Sequence, residues 1–159
     1  MTPPPILLVS ANVWRVTSEL FSKYASKRVE AGCFWYGHRD EEKAIAVLVG
    51  VPHQINRPRN FEVPADDLAR LTEEVIKLDL VAVAQVHSHP GDDVEHSPWD
   101  DSRVISKRVY SIVLPRYGKN PIALVGVGVH RFEDGGWTKL SRDSSKAAIR
   151  FLPDKLDTR

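Results

Sequence analysis

Ala44 to Val51 reads AIAVLVGV, an almost unbroken apolar run of strand length without the alternation of a strand that faces water on one side. It is expected to be an inner strand, buried on both faces and paired with the strand before it. Helical patterns stand on either side of this stretch. From Ala11 to Tyr24 the apolar residues Val13, Trp14, Val16, Leu20, Phe21 and Tyr24 recur at three- and four-residue steps, with Ser10 or Asn12 as the N-cap. Ala65-Asp66-Asp67 opens a second helix with its acids at the positive end and a stripe of Leu68, Leu71, Val75, Ile76 and Leu78. Further strands are expected at Ile6–Val9, Val29–Tyr36 (followed by a turn at Gly37–Asp40), Leu80–His89, Val109–Leu114 and Ile122–Phe132, with a third helix over Ser97–Lys107. Strands interrupted this regularly by helices imply an α/β (α+β) chain with a central sheet covered by helices, rather than a bundle or a sandwich.

At 159 residues the chain buries roughly 70% of its unfolded surface on folding, enough for one core with a cleft and not for two. One domain is expected over residues 6–140, after an extended arm at 1–5 that carries Pro3, Pro4 and Pro5. Residues 141–159 are either a packed final helix or a frayed end. The 22 basic and 21 acidic side chains leave a net charge of +1, which argues against a nucleic-acid partner held by counterion release. Cys33 stands alone and forms no internal disulfide, no apolar run reaches the length of a membrane span, and Met1-Thr2-Pro3 lacks the basic start of an export signal. The expectation is a cytoplasmic protein with no membrane partner.

The chemistry is concentrated in His87-Ser88-His89-Pro90 and Ser97-Pro98-Trp99-Asp100. His87 and His89 are two apart at the end of a strand, so both imidazoles point to one face and Ser88 points away. Pro90-Gly91 ends the strand, and the seven residues between His89 and Ser97 let the next helix return beside it with Asp100 in its first turn. Two histidines and one carboxylate, with a fourth position for water, make the donor set of a catalytic zinc site. Each half has a plainer reading. Ser97 followed by Pro98 and Asp100 is what a helix start wants for local reasons, and a lone His-x-His is common on strands. The plainer readings do not explain why the two halves occur together at this spacing.

His-x-His-Pro followed after seven residues by Ser-x-x-Asp resembles the JAMM signature of the MPN/JAB metalloproteases, without insertion or deletion. Upstream, Glu30-Ala31-Gly32-Cys33 with Gly37 seven residues after the glutamate is similar to the family's glutamate-bearing strand, Cys33 standing where glycine is more usual. The resemblance covers residues 6 to 135. It implies the MPN/JAB (cytidine-deaminase-like) fold, a single domain with a central mixed, curved sheet flanked by helices. It also implies one zinc ion per chain on His87, His89 and Asp100, with Glu30 as the catalytic base and Ser97 as donor to the developing oxyanion. The reaction implied is hydrolysis after the C-terminal glycine of ubiquitin or a ubiquitin-like protein, freeing a lysine or trimming a precursor. The partners implied are a ubiquitin-like protein with a Gly-Gly tail and its conjugated target, with activating and conjugating enzymes of a bacterial, for instance antiviral, system. Walls for the tail are expected from the loop Pro52–Pro64, which carries a short extended stretch around Phe61, and from Arg116–Asn120.

Two alternatives stand beside this: a peptidase trimming the tail of a sulfur-carrier protein, and a non-catalytic MPN scaffold. His38, His53, His96 and His130 lack a partner spacing and are expected in surface or structural roles, His96 being closest to the cleft because it abuts Ser97. Asp92, Asp93 and Glu95 read as a solvated loop, Arg103, Lys107 and Arg108 as a solvated basic face of the third helix, and Cys33 as a small buried side chain.

Overall fold

The computed structural model describes residues 4–158, so most of the expected N-terminal arm, residues 1–3, lies outside the described residues. In chain order the elements are β1 (Ile6–Val9), α1 (Ala11–Lys27), β2 (Gly32–Arg39), β3 (Lys43–Gly50), β4 (Ile55–Arg57), β5 (Asn60–Glu62), α2 (Ala65–Lys77), β6 (Val81–Ser88), α3 (Pro98–Arg103), β7 (Tyr110–Leu114), β8 (Gly128–Glu133), β9 (Gly136–Lys139), α4 (Arg142–Ala148) and β10 (Ile149–Phe151). Eight strands form one mixed sheet in the order β10-β1-β3-β2-β6-β7-β8-β9, and β4 and β5 form a separate hairpin. Contacts between β1 and β3, β1 and β10, and β6 and β7 are parallel; the other pairs are antiparallel.

Helices cover both faces. Ser10 caps α1, its hydroxyl accepting from the Val13 amide at 3.3 Å, and Val13, Thr17 and Phe21 drive that helix onto the sheet. There Trp35 is wholly buried, and its indole N–H donates to Thr17 Oγ1 at 2.9 Å. On the opposite face Phe34 and Tyr36 meet α2 through Val75, with Leu68 and Leu71 packed alongside. Alternation along β2 thus feeds two cores, Cys33 and Trp35 into one and Phe34 and Tyr36 into the other.

The expectation that the Ala44–Val51 run is buried on both faces is not met, because Val47 is 40% exposed. The register explains the difference: Tyr36 pairs with Leu48 and Gly37 with Ala46, so Val47 is the extra residue of a β-bulge. Beyond the bulge the side-chain parity inverts, Ala44 and Ala46 sharing a core with Val49 while Leu48 joins the other. A continuous apolar run is what a strand needs when a bulge exchanges its faces. A second bulge lies opposite, with Val83 unpaired between Ala82 and Ala84. The two make the strand continue through Gly37, His38 and Arg39, where a turn was expected. A Cβ on Gly37 would overlap the Ile45 carbonyl oxygen. Gly37→Ala is therefore expected to destabilise the fold by about 1–3 kcal/mol, read as a lower denaturation midpoint at unchanged m-value.

The extended stretch expected around Phe61 within the Pro52–Pro64 loop is β5, which pairs with β4 in a hairpin, with Asn56 facing Phe61 across it. Three other expectations are corrected. On α2, Ile76 and Leu78 are exposed, 67% and 59%, because the stripe turns away from the sheet after Val75. Helix α3 ends at Arg103, so Arg103, Lys107 and Arg108 share no helical face; the first two lie over the rings of Trp99 and Phe132 instead. The strand expected from Ile122 begins at Gly128, after turns through Ala123 and Gly126 in which both residues take positive φ. The segment after Ser141 folds as α4 followed by β10, which pairs with β1 at the sheet edge.

Candidate metal centre

Strand β6 lies between β2 and β7 and runs its last residues, Val86 to Ser88, into full burial. Val86 faces the α1 side, while Gln85 and His87 face the α2 side beside Phe34 and Leu68. Opposite His87 on β2 stands Gly32, and the space where a Cβ would project is filled by the ring of Phe61 from the hairpin, which also packs 6.3 Å from the His87 imidazole. His89 leaves the strand but keeps its pairing, its amide donating to the Leu114 carbonyl at 2.9 Å. The two imidazoles share a face as expected, their centroids 5.1 Å apart.

Asp100 reaches them from the first turn of α3. The Ser97 and Asp100 side chains form a capping box: Ser97 Oγ accepts from the Asp100 amide at 3.2 Å, and Asp100 Oδ2 accepts from the Ser97 amide at 2.7 Å. The Ser97 hydroxyl proton is also given to Asp100 Oδ2, at 2.8 Å. The same carboxylate lies 3.3 Å from His87 Nε2 through Oδ1 and 3.3 Å from His89 Nε2 through Oδ2. The cap reading and the ligand reading of this motif are thus compatible in one residue.

His87, His89 and Asp100 each offer a ligand atom, all within 4.8 Å of one another. Their surroundings fit a cation. The His89 Nδ1–H donates to the Asp93 carbonyl at 3.0 Å, which orients the ring so that Nε2 faces the Asp100 carboxylate at 3.3 Å and is the atom free to take a cation. Both ring nitrogens of His87 are buried without a hydrogen-bond partner, an arrangement costly for a structural histidine and natural for a ligand. Burial pushes the His87 pKa down, against the pull of Asp100, so this imidazole is neutral and able to donate. Burial would raise the Asp100 carboxyl, but the His87 and His89 rings beside it and the Ser97 amide outweigh that and hold it well below the usual carboxylate range. For His89 the order reverses: burial lowers its pKa, and Asp100, the Asp93 carbonyl and Glu30 together raise it.

Glu30 lies in the connection between α1 and β2 rather than on the strand expected for it. Its backbone is held on both sides, the amide donating to Arg57 O at 2.8 Å and the carbonyl accepting from Asn56 Nδ2 at 2.9 Å. Next in the chain, Ala31 is tied to β6: its carbonyl accepts from the Ser88 amide at 3.0 Å and its amide donates to Ser88 Oγ at 3.2 Å. The hairpin and β6 therefore fix where the Glu30 carboxyl opens, into a cleft of about 500 Å³ lined also by Arg59, Asn60, His89, Ser97, Trp99 and Asp100. Burial raises this carboxyl to about 7, with His89 opposing and Asp100 adding to the effect. Glu30, Ser97, His87, His89 and Asp100 are thus brought to one place.

Three participants were not singled out as site residues from the sequence. Trp99, 46% exposed, separates the polar cleft from an apolar cavity lined by Phe34, Phe61, Leu68, His87 and Ile105. Phe61 forms part of that cavity and supports His87. Tyr117 joins the two expected walls, its amide donating to His89 O at 2.7 Å and its hydroxyl to Pro58 O at 3.0 Å. Arg116 and Tyr117 both take positive φ to do so. Cys33 is fully buried, and burial pushes its thiol far up, which leaves it inert as expected.

No family model matches the chain. A protein of Sinorhizobium fredii named a probable metalloprotease is 27% identical over 110 residues, which cover 65% of this chain and 67% of that protein. The solution structure of a protein from Desulfitobacterium hafniense superposes with a TM-score of 0.70 at 12% identity, covering 93% of this chain and 94% of that one, a likeness of fold alone. Among the described residues no helix is long and apolar enough to cross a membrane.

Proposed function

We propose that this chain is a zinc-dependent peptidase of the JAMM type that cuts after the C-terminal glycine of a ubiquitin-like protein. The observation that carries the reading is the convergence of His87, His89 and Asp100 within 4.8 Å, with an unpaired carboxyl, Glu30, opening into the same cleft. The metalloprotease name of the Sinorhizobium fredii relative agrees with it. When bound, zinc supplies Lewis acidity, polarising the scissile carbonyl and making water a nucleophile near neutral pH. His87 and His89 would hold it through their imidazoles and Asp100 through its carboxylate. The Glu30 carboxylate takes the proton of the attacking water and returns it to the leaving amine, a role suited to a buried carboxyl that opens into the same cleft. Ser97, whose hydroxyl proton rests on Asp100, can turn that proton to the oxyanion as charge develops there.

The edge of the β4–β5 hairpin supports this substrate class. Strand β5 pairs with β4 on one side and with no strand on the other among the described residues, and Asn60 at its start lines the cleft. An extended tail can add to that edge by backbone hydrogen bonds, and glycines would bring no side chain against the cleft walls. The test is a panel of three substrates with the zinc-loaded full chain: a Gly-Gly tail linked to lysine, the same tail in linear fusion, and a sulfur-carrier tail bearing one extra residue. Cleavage after the glycine of the lysine-linked substrate, abolished by a chelator, is expected. Turnover of the sulfur-carrier tail alone would support the trimming peptidase instead, and no cleavage of any of the three by metal-loaded protein would favour the scaffold.

A further inference from the structure

His96 precedes Ser97, and its side chain is only 6% exposed. Its Nδ1 lies 2.8 Å from Asp101 Oδ1 and its Nε2 lies 2.7 Å from the hydroxyl of Ser111, a residue of β7 with no exposure at all. A carboxylate only accepts, so Nδ1 carries the hydrogen and Ser111 donates to Nε2. The imidazole also stacks on His130 of β8, centroids 4.0 Å apart at 21°, and lies against Trp137 of β9 at 5.4 Å and His87 at 5.9 Å. Asp101–His96–Ser111 has the distances of a nucleophilic triad, but no substrate reaches a serine with zero exposure. The line must serve something other than attack.

We infer that His96 is a positioning residue for the metal centre: it bolts the start of α3 to β7, β8 and β9 and so fixes Ser97 and Asp100 opposite His87 and His89. This rests on the metal-centre reading above. A helix of six residues holds little structure by itself, and the loop from Pro90 to Glu95 that delivers it is largely exposed. The Asp100 carboxylate contacts only Ser97 and, on the β6 side, His87 and His89, so the side-chain contacts of this helix start with β7, β8 and β9 come through His96. His96 grips one residue either side of the Ser97–Asp100 pair: it is covalently next to Ser97, and it hydrogen-bonds Asp101. Imidazole suits the position because it offers a donor and an acceptor on opposite edges of a flat ring that stacks.

The test uses the double variant His96→Phe/Ser111→Ala in the full chain. Phenylalanine keeps the stack on His130, and removing both buried partners together strands no hydroxyl. Amide exchange is read first on metal-free protein: residues 99–103 are expected to exchange at least about tenfold faster than in the wild type, with β6 and β7 unchanged. Zinc affinity, by competition with a chromophoric chelator, is expected to fall about 10- to 100-fold, with kcat reduced more than KM is raised. His96→Gln, whose amide still reaches Asp101, is expected to recover part of the affinity. Wild-type exchange across α3, or wild-type zinc affinity in a folded double variant, would overturn the inference. The exchange result decides the positioning of α3 even if the wild type takes up no zinc, an outcome that would count against the proposed function alone.

Discussion

Glu30→Gln is expected to lower kcat by about 10²- to 10⁴-fold while zinc content and fold stay as in the wild type. The amide is isosteric with the carboxyl and keeps the backbone bonds to Arg57 and Asn56, but it can neither take a proton from water nor return one to an amine. Measured as kcat and KM on the same glycine-tailed substrate, the loss should appear in kcat, with KM little changed. Retained turnover would remove Glu30 from the mechanism.

The same substitution has an effect on metal-free protein whose sign is fixed by burial. The Glu30 carboxyl has an ordinary value of 4.5 when unfolded and about 7 when folded, so the folded state holds its proton more tightly. Below 4.5 both states are protonated and nothing is lost. Between 4.5 and 7 the unfolded chain releases the proton first, stability falls as pH rises, and above 7 the deficit is constant. Glutamine has no such deficit. The melting temperature of Glu30→Gln relative to the wild type is expected to climb across that window and then level, a case of a reactive group kept at the expense of stability.

His87→Ala/His89→Ala is expected to abolish both hydrolysis and stabilisation by zinc. Zinc at 100 times its dissociation constant stabilises a folded protein by about 2.7 kcal/mol, and the double variant, left with Asp100 alone, should melt at one temperature with or without zinc. The metal-free variant is not expected to collapse. His87 buries two ring nitrogens without a hydrogen-bond partner, so its removal opens a cavity but also relieves an unsatisfied polar group.

Both halves of this centre were legible in the sequence because each depends on a local period. Two-residue spacing on a strand puts His87 and His89 on one face, and a serine cap puts Asp100 at the helix start. The connection that joins them has no such period, and what organises it is distant in sequence. His96 finds its partners on β7, β8 and β9, so spacing alone gave it no role. Around Phe61 the sequence shows an extended stretch but not its pairing: the two strands of the hairpin are three residues each, too short to show alternation. The apolar run at Ala44–Val51 was recognised as a strand but misjudged in burial, because a bulge at Val47 leaves no mark in hydropathy. Tyr117 lies in a segment expected as a wall and Trp99 inside the Ser-x-x-Asp motif, but their individual roles exist only once the hairpin, β6 and α3 meet.

The most direct test of the proposed function is elemental analysis of purified wild type and His87→Ala/His89→Ala after equal exposure to zinc and removal of excess. One zinc per chain in the wild type and none in the double variant is expected. A wild type that holds no zinc, or a double variant that holds as much, would show that His87, His89 and Asp100 do not form the metal centre.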